Sequence, residues 1–161
     1  MPKEQFRAML DTNVYEFLYL QHLDSLNKLI DEGRIVVYGC KIVRDELRDI
    51  SPKLKHKNKS FRNLLLNIYD ELTEKHSYPI EDVVENLAEQ YWKEYDGGIP
   101  KRKLMNDFRI VAISSIHNLD LVVSEDDNSM KSAPAIRAYL KANNANGFRT
   151  PAFYSIKELI H

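Results

Sequence analysis

An apolar run, Phe6-Arg7-Ala8-Met9-Leu10, ends in Asp11-Thr12-Asn13 and gives way at once to Val14, Phe17 and Leu18 at helical spacing. No Gly or Pro separates the two patterns, so a first strand turns directly into a helix and leaves Asp11 at the junction. In an open parallel sheet, ligands bind outside the carboxyl ends of the strands. Asp11 therefore serves either its own helix, as an N-cap, or a site shared with neighbouring strands.

The rest of the chain repeats this alternation. Leu18, Leu23, Leu26, Leu29 and Ile30 continue an amphipathic helix that stops at Gly33. Arg34 to Tyr38 is a β-branched strand closed by Gly39. Lys41 to Ile50 is a helix halted by Ser51-Pro52, because the residue before Pro avoids the helical region. Ser60 caps a helix with Phe61, Leu64, Leu65, Ile68 and Leu72 on one face, running to about Lys75. His76 to Ile80 is extended, and Pro79 confines it to a short or edge strand. Glu81 and Asp82 open a helix with two apolar rows, Val83, Leu87, Tyr91, Tyr95 and Val84, Ala88, Trp92, which form core or a partner surface.

Gly97-Gly98-Ile99-Pro100 breaks that helix. Leu104, Met105, Phe108, Ile110, Val111, Ala112, Ile113 and Ile116 are then apolar on nearly every side, marking a buried helix with Asp107 in its first turn and Asn118 at its end. Leu119 to Ser124 is a buried strand running into Glu125-Asp126-Asp127-Asn128. Ala133 to Asn144 is a helix ended by Asn146-Gly147, Thr150 to Tyr154 a closing strand, and Ser155 to Glu158 a capping box. Such alternation predicts an α/β fold with parallel strands joined by right-handed crossovers, which lets the first strand lie beside the Leu119–Ser124 strand.

The 161 residues fit one domain, 1–161. A single cysteine, Cys40, excludes an internal disulfide and gives no sign of a zinc cluster. Met1-Pro2-Lys3-Glu4 lacks the basic-then-apolar pattern of a signal peptide, and no apolar run approaches the ~18 residues of a membrane span, so the expectation is a cytoplasmic protein without a membrane partner. A net charge of −1 argues against broad electrostatic attachment to nucleic acid. Local basic clusters remain: Lys53, Lys55, His56, Lys57, Lys59 and Arg62, then Lys101-Arg102-Lys103. The first reads equally as a phosphate grip and as a solvated loop. No Gly-x-x-x-x-Gly-Lys loop is present, which excludes nucleotide hydrolysis of the P-loop kind.

Asp11, Glu46, Asp107 and Asp126 stand out by placement. Glu46 follows the second strand, although Asp45, Asp49, Arg44 and Arg48 around it also suit a solvated charged face. Burying a carboxylate is costly unless it is paired, hydrogen-bonded or bound to a cation. Carboxylates gathered at one sheet edge repel each other, an arrangement that makes sense with a divalent cation bound. Oxygen-only ligands suit Mg²⁺ or Mn²⁺. Such an ion polarises a phosphodiester and lowers the pKa of water, and two ions ~3.5–4 Å apart also stabilise the leaving oxygen.

Asp11-Thr12-Asn13, Glu46, Asn106-Asp107-Phe108-Arg109-Ile110-Val111-Ala112 and Leu121-Val122-Val123-Ser124-Glu125-Asp126 resemble, in order, the four acidic motifs of PIN-domain ribonucleases. Thr150-Pro151 is similar to that family's closing segment. The resemblance implies a three-layer α/β/α fold around a central parallel sheet and cleavage of single-stranded RNA dependent on Mg²⁺ or Mn²⁺. It makes the four acids both catalytic residues and metal ligands, with Asn13 and Ser124 holding them by hydrogen bonds. Many PIN proteins of this size are VapC-type toxins, which implies a small antitoxin partner and a homodimer. The family often carries an aromatic a few residues after the fourth acid. Here Asp127-Asn128-Ser129-Met130 follows, which leaves the fourth acid between Asp126, the favoured choice, and Asp127.

The alternative is a catalytically inactive PIN-like module that binds RNA or protein through Lys55, Lys57, Lys59, Lys101, Arg102 and Lys103. A phosphohydrolase acting on small phosphate esters would need Asp-x-Asp after the first strand, where Asn13 holds the second position.

Overall fold

The computed structural model describes residues 4–74 and 76–161. The opening Met1-Pro2-Lys3 and the helix end expected at Lys75 lie outside the described residues. Strand β1 (Phe6–Leu10) passes through Asp11 into α1 (Thr12–Phe17), which continues through a π-helical turn, Leu18–His22, into α2 (Leu23–Asp31). Gly33, at φ +71°, ends this path where a side chain would be strained. Then come β2 (Ile35–Cys40), α3 (Lys41–Arg48), β3 (Lys55–His56), β4 (Lys59–Ser60) and α4 (Phe61–Thr73). The chain finishes with β5 (Ser77–Tyr78), α5 (Asp82–Glu94), α6 (Lys101–Ile116), β6 (Leu121–Val123), α7 (Ala133–Asn146), β7 (Ala152–Tyr154) and α8 (Ile156–Ile160).

The main sheet is parallel throughout, in the order β5-β2-β1-β6-β7. Right-handed crossovers fix the layers. The walk β1-β2-β5 moves one way and lays α1 to α4 on one face, whereas β5-β6-β7 moves back and lays α5, α6 and α7 on the other. Packing agrees: α1, α3 and α4 touch one another, and α5 touches both α6 and α7. With both faces covered, central strands read as continuous apolar runs, which is why Ala8, Met9 and Leu10 are all fully buried. The aromatic row of α5 is core: Tyr91 is fully buried, with ring centroids 5.0 Å from Tyr139 and 6.0 Å from Phe108. Among the described residues no helix is long and apolar enough to cross a membrane.

Three local expectations are corrected. Gly39 does not close the second strand; it lies within β2 and pairs with Ser77. A Cβ there would sit 2.1 Å from the Tyr69 hydroxyl oxygen, so glycine is what lets Tyr69 lie against the strand and donate to the Cys40 carbonyl at 3.1 Å. The basic run is not an open loop. β3 and β4 form an antiparallel hairpin turning at Lys57 and Asn58, both left-handed at φ 51° and 65°. Tyr19 pins it, edge-on to His56 at 5.2 Å and to Phe61 at 5.8 Å. Finally, α6 starts at Lys101, so Lys101-Arg102-Lys103 is its first turn and Asp107 lies beyond it. The helix dipole, felt within the first turn, therefore does little for that carboxylate.

Candidate active site

The parallel sheet brings the carboxyl ends of β1, β2 and β6 to one rim. Asp11 leaves β1 there, 5% exposed, and serves both uses open to it. Its Oδ1 accepts from the Thr12 amide at 2.8 Å as the N-cap of α1, and its Oδ2 accepts from the Ser124 hydroxyl at 2.8 Å. Ser124, fully buried at the end of β6, also accepts from the Asp126 amide at 3.1 Å and the Asn13 side-chain amide at 3.5 Å. Asn13 Oδ1 accepts in turn from the Glu125 amide at 3.1 Å. These bonds staple the start of α1 to the end of β6.

Glu46, half-buried on α3, accepts from the Thr12 hydroxyl at 2.8 Å, while neighbouring Asp45 turns to Lys41 and Arg48. Asp107, half-buried on α6, accepts from the Ser129 hydroxyl at 2.8 Å, and the same hydroxyl meets Asp126 Oδ2. The other oxygen of Asp126 accepts from the Asn128 amide at 3.0 Å and the Ser129 amide at 2.9 Å. Asp127, by contrast, is 83% exposed and pairs with Lys131 at 3.0 Å. Of the two acids open to choice, Asp126 is the one that shares the Ser129 hydroxyl with Asp107 and whose charge acts on Asp11.

Burial and neighbouring charge raise three of these carboxylates, Asp107, Asp11 and Glu46. Asp107 is pushed up to about 7, chiefly by burial and then by the charge of Asp11, with Asp126 and Glu46 adding. Burial also raises Asp11, opposed by its bonds to Ser124 and Thr12, with Asp126 adding to the rise. Glu46 is raised by burial, opposed by the Thr12 hydroxyl and reinforced by Asp11. Cys40, at the end of β2, is pushed up to about 12 by burial, so its thiol is not a nucleophile at neutral pH.

A raised carboxylate pKa means that the folded chain holds more protons than the unfolded one between the ordinary value of 3.8 and about 7. Stability contributed by these groups therefore falls as pH rises through that window and levels off above it. In chelator, the melting temperature is expected to drop between about pH 5 and about pH 7.5, and Mn²⁺ to recover more of it at the upper value. Differential scanning fluorimetry checks this. A melting temperature that climbs over the same range and ignores Mn²⁺ would mean that the acids carry no uncompensated charge.

The donors suit a hard divalent cation, since all are oxygens and the acids outnumber the cations beside them. Among the described residues, no three His, Cys, Asp or Glu side chains form a ready-made cage. Mg²⁺ is ordinarily held through one or two carboxylates with water completing its shell, so the residues present fit that ion without one. Nothing in the sequence alone assigns Thr12 to Glu46 or Ser129 to Asp107. An Asp followed three residues later by Ser is a local turn signal that points to Ser129.

Lys55, Lys57 and Lys59 are exposed on the hairpin, and Lys101 pairs with Glu89 at 2.7 Å. Arg102 and Lys103 are exposed, Lys103 lying one helical turn before Asp107. A cavity of about 420 Å³, lined by Phe6, Leu29, Ile35, Leu121 and Leu159 among others, opens at the amino ends of the strands, away from the acids.

No protein-family model matches the chain, and no curated protein matches it in sequence. Solved structures do match. VapBC2 from Rickettsia felis, bound to a DNA fragment from its promoter, aligns with a TM-score of 0.60 at 15% identity, over 92% of this chain and 98% of the other. FitAcB from Neisseria gonorrhoeae aligns with a TM-score of 0.60 at 22% identity, over 93% and 98%. FitAB bound to an IR36 DNA fragment gives 0.56 at 21%, over 96% of each. The chain thus has the PIN-like α/β fold of these neighbours, a central five-stranded parallel sheet between helical layers.

Proposed function

We propose that the chain is a metal-dependent endoribonuclease acting on single-stranded RNA, a VapC-type toxin with a small antitoxin as its partner. One observation supports the reading: Asp107, lifted to about 7 by burial, is also raised by the charges of Asp11, Asp126 and Glu46. Asp11, Glu46, Asp107 and Asp126 would hold Mg²⁺ or Mn²⁺. The ion supplies a Lewis acid for the phosphodiester oxygen and makes water a better nucleophile at neutral pH. The chain's own residues set the geometry. Ser124 and Asn13 fix Asp11, Thr12 fixes Glu46, and the turn after Asp126 fixes that carboxylate.

The partner is supported by the neighbours, solved as VapBC2 and FitAB, and the VapC resemblance extends the proposal to a homodimer in the cytoplasm. An inactive binding module would have no use for a set of repelling, half-buried acids. The reading is tested by incubating single-stranded RNA with the protein in Mn²⁺ and in chelator. Cleavage in the first alone supports it; none in either favours the inactive module.

Lys55, Lys57 and Lys59, fixed on a pinned hairpin, are proposed to hold RNA phosphates, as are Lys101, Arg102 and Lys103. Lys57→Glu is expected to weaken RNA binding and to lower the slope of log affinity against log salt by roughly one contact, ~0.7 for a single strand. Fluorescence anisotropy across a salt series measures it. An unchanged slope would leave Lys57 to solvent.

A further inference from the structure

Four rings outside the acid site stack into one ladder. His117, at the end of α6, has its ring centroid 3.8 Å from that of Tyr78 in β5, with 11° between the planes. Tyr78 is 5.7 Å from Tyr38 of β2 at 6°, and Tyr38 is 5.0 Å from His76 at 25°. Ring pairs settle either offset and parallel or edge to face. Tyr91, Phe108 and Tyr139 in the core meet edge-on, whereas the ladder keeps each ring nearly parallel to the next. It also leads outward. Tyr38, Tyr78 and His117 are half-buried, but His76 is exposed, with no further ring stacked on it among the described residues.

His76 is nevertheless held in place. Its amide donates to the Thr73 carbonyl at 2.7 Å, and its carbonyl accepts at 2.6 Å from the amide of Gly39, near the carboxyl end of β2. The exposed ring therefore stands on the β5 edge of the sheet, toward the end that also carries Asp11. Resting on the reading of the chain as a nuclease of single-stranded RNA, we infer that His76 is a base-stacking subsite, where an unpaired nucleobase lies on the imidazole and adds a fifth ring to the ladder. Every base has a π-face, so the subsite tolerates any sequence, and His is among the side chains on which unstacked bases settle. A paired base has both faces covered by its neighbours in the duplex, which favours single strands. The ladder's own rings, two imidazoles and two phenols, carry polar atoms at their edges, as a base does and an aliphatic partner surface does not.

The test is binding of the whole chain, in chelator so that the strand stays intact, to a single-stranded RNA oligonucleotide and to the same oligonucleotide with abasic positions, both followed by fluorescence anisotropy. His76→Ala is expected to bind the intact strand more weakly, on the order of tenfold, and the abasic strand as the parent does. Its salt slope is expected to match the parent's, because stacking releases no counterions. His76→Trp, a larger ring in the same place, is expected to restore the affinity. A merely structural histidine would cost both strands alike. An equal loss for the two strands, or none for either, would overturn the subsite, and cleavage by the parent in Mn²⁺ would then leave the nuclease reading standing. A parent that prefers the intact strand through His76 yet never cleaves it would keep the subsite and remove the nuclease. A parent that binds neither strand would overturn the subsite.

Discussion

Asp11→Asn is expected to abolish Mn²⁺-dependent cleavage of single-stranded RNA while leaving the melting temperature unchanged or higher. The amide keeps the size and the Oδ1 acceptor that caps α1, so the strand-to-helix junction survives. Ser124 keeps its bonds from the Asp126 amide and the Asn13 side chain, and gives up only its own donation to Asp11. What disappears is one negative charge from a site where burial and like charges already oppose ionisation. Stability therefore gains or holds as the anion goes. For activity, a loss of at least about 10²-fold in kcat/KM is expected, the scale of removing a group that stabilises charge in the transition state. Cleavage at the parental rate would take Asp11 out of the mechanism; lost activity with an equally large fall in melting temperature would make it a structural residue.

The largest expected effect on stability lies elsewhere, at Asn143 in α7. Fully buried, it accepts from the Tyr91 hydroxyl at 2.6 Å and donates to Ser115 at 3.0 Å and to Thr150 at 2.9 Å. One side chain thus ties α5, α6 and the segment before β7 to α7. Asn143→Ala leaves several buried polar groups without that partner, at ~1–3 kcal/mol each before relaxation. A net loss of about 3 kcal/mol or more is expected, a fall of roughly 6–12 °C in melting temperature for a chain of this size. Because the network lies inside the helical layer, Mn²⁺ binding below the transition should persist. A melting temperature within a degree or so of the parent would show that water replaces the lost bonds.

Much of this architecture was legible in the chain because local signals agreed with it. The apolar run stopping at Asp11, the Ser60 cap and the Ser155–Glu158 capping box each stand where the pattern put them. Strand and helix alternated with clear periods, which was enough for a parallel α/β sheet. Where it failed, the cause was long-range. Lys57-Asn58 lacks the glycine that advertises a hairpin, and Tyr19, far away in sequence, holds the turn. Gly39 looked like a strand end because its partner, the Tyr69 ring, comes from α4. Asn143 carries no sign of its role, since nothing near it in the chain announces Tyr91 or Thr150. For the candidate site, the acids were visible from their places beside strands and in an apolar helix. The hydroxyls of Thr12 and Ser129 were not, because a hydroxyl's role depends on what faces it.

The pairing of β1 with β6 has a further consequence for how the molecule comes into being. Asp11 and Ser124, bonded in the folded chain, are 113 residues apart in sequence. Closing so long a loop is slow compared with forming any single helix. A nascent chain leaving the ribosome carries Asp11 and Glu46 well before β6 (Leu121–Val123) emerges, yet lacks the strand that pairs with β1. Asp11 consequently stays without its Ser124 partner until β6 has been made and paired with β1.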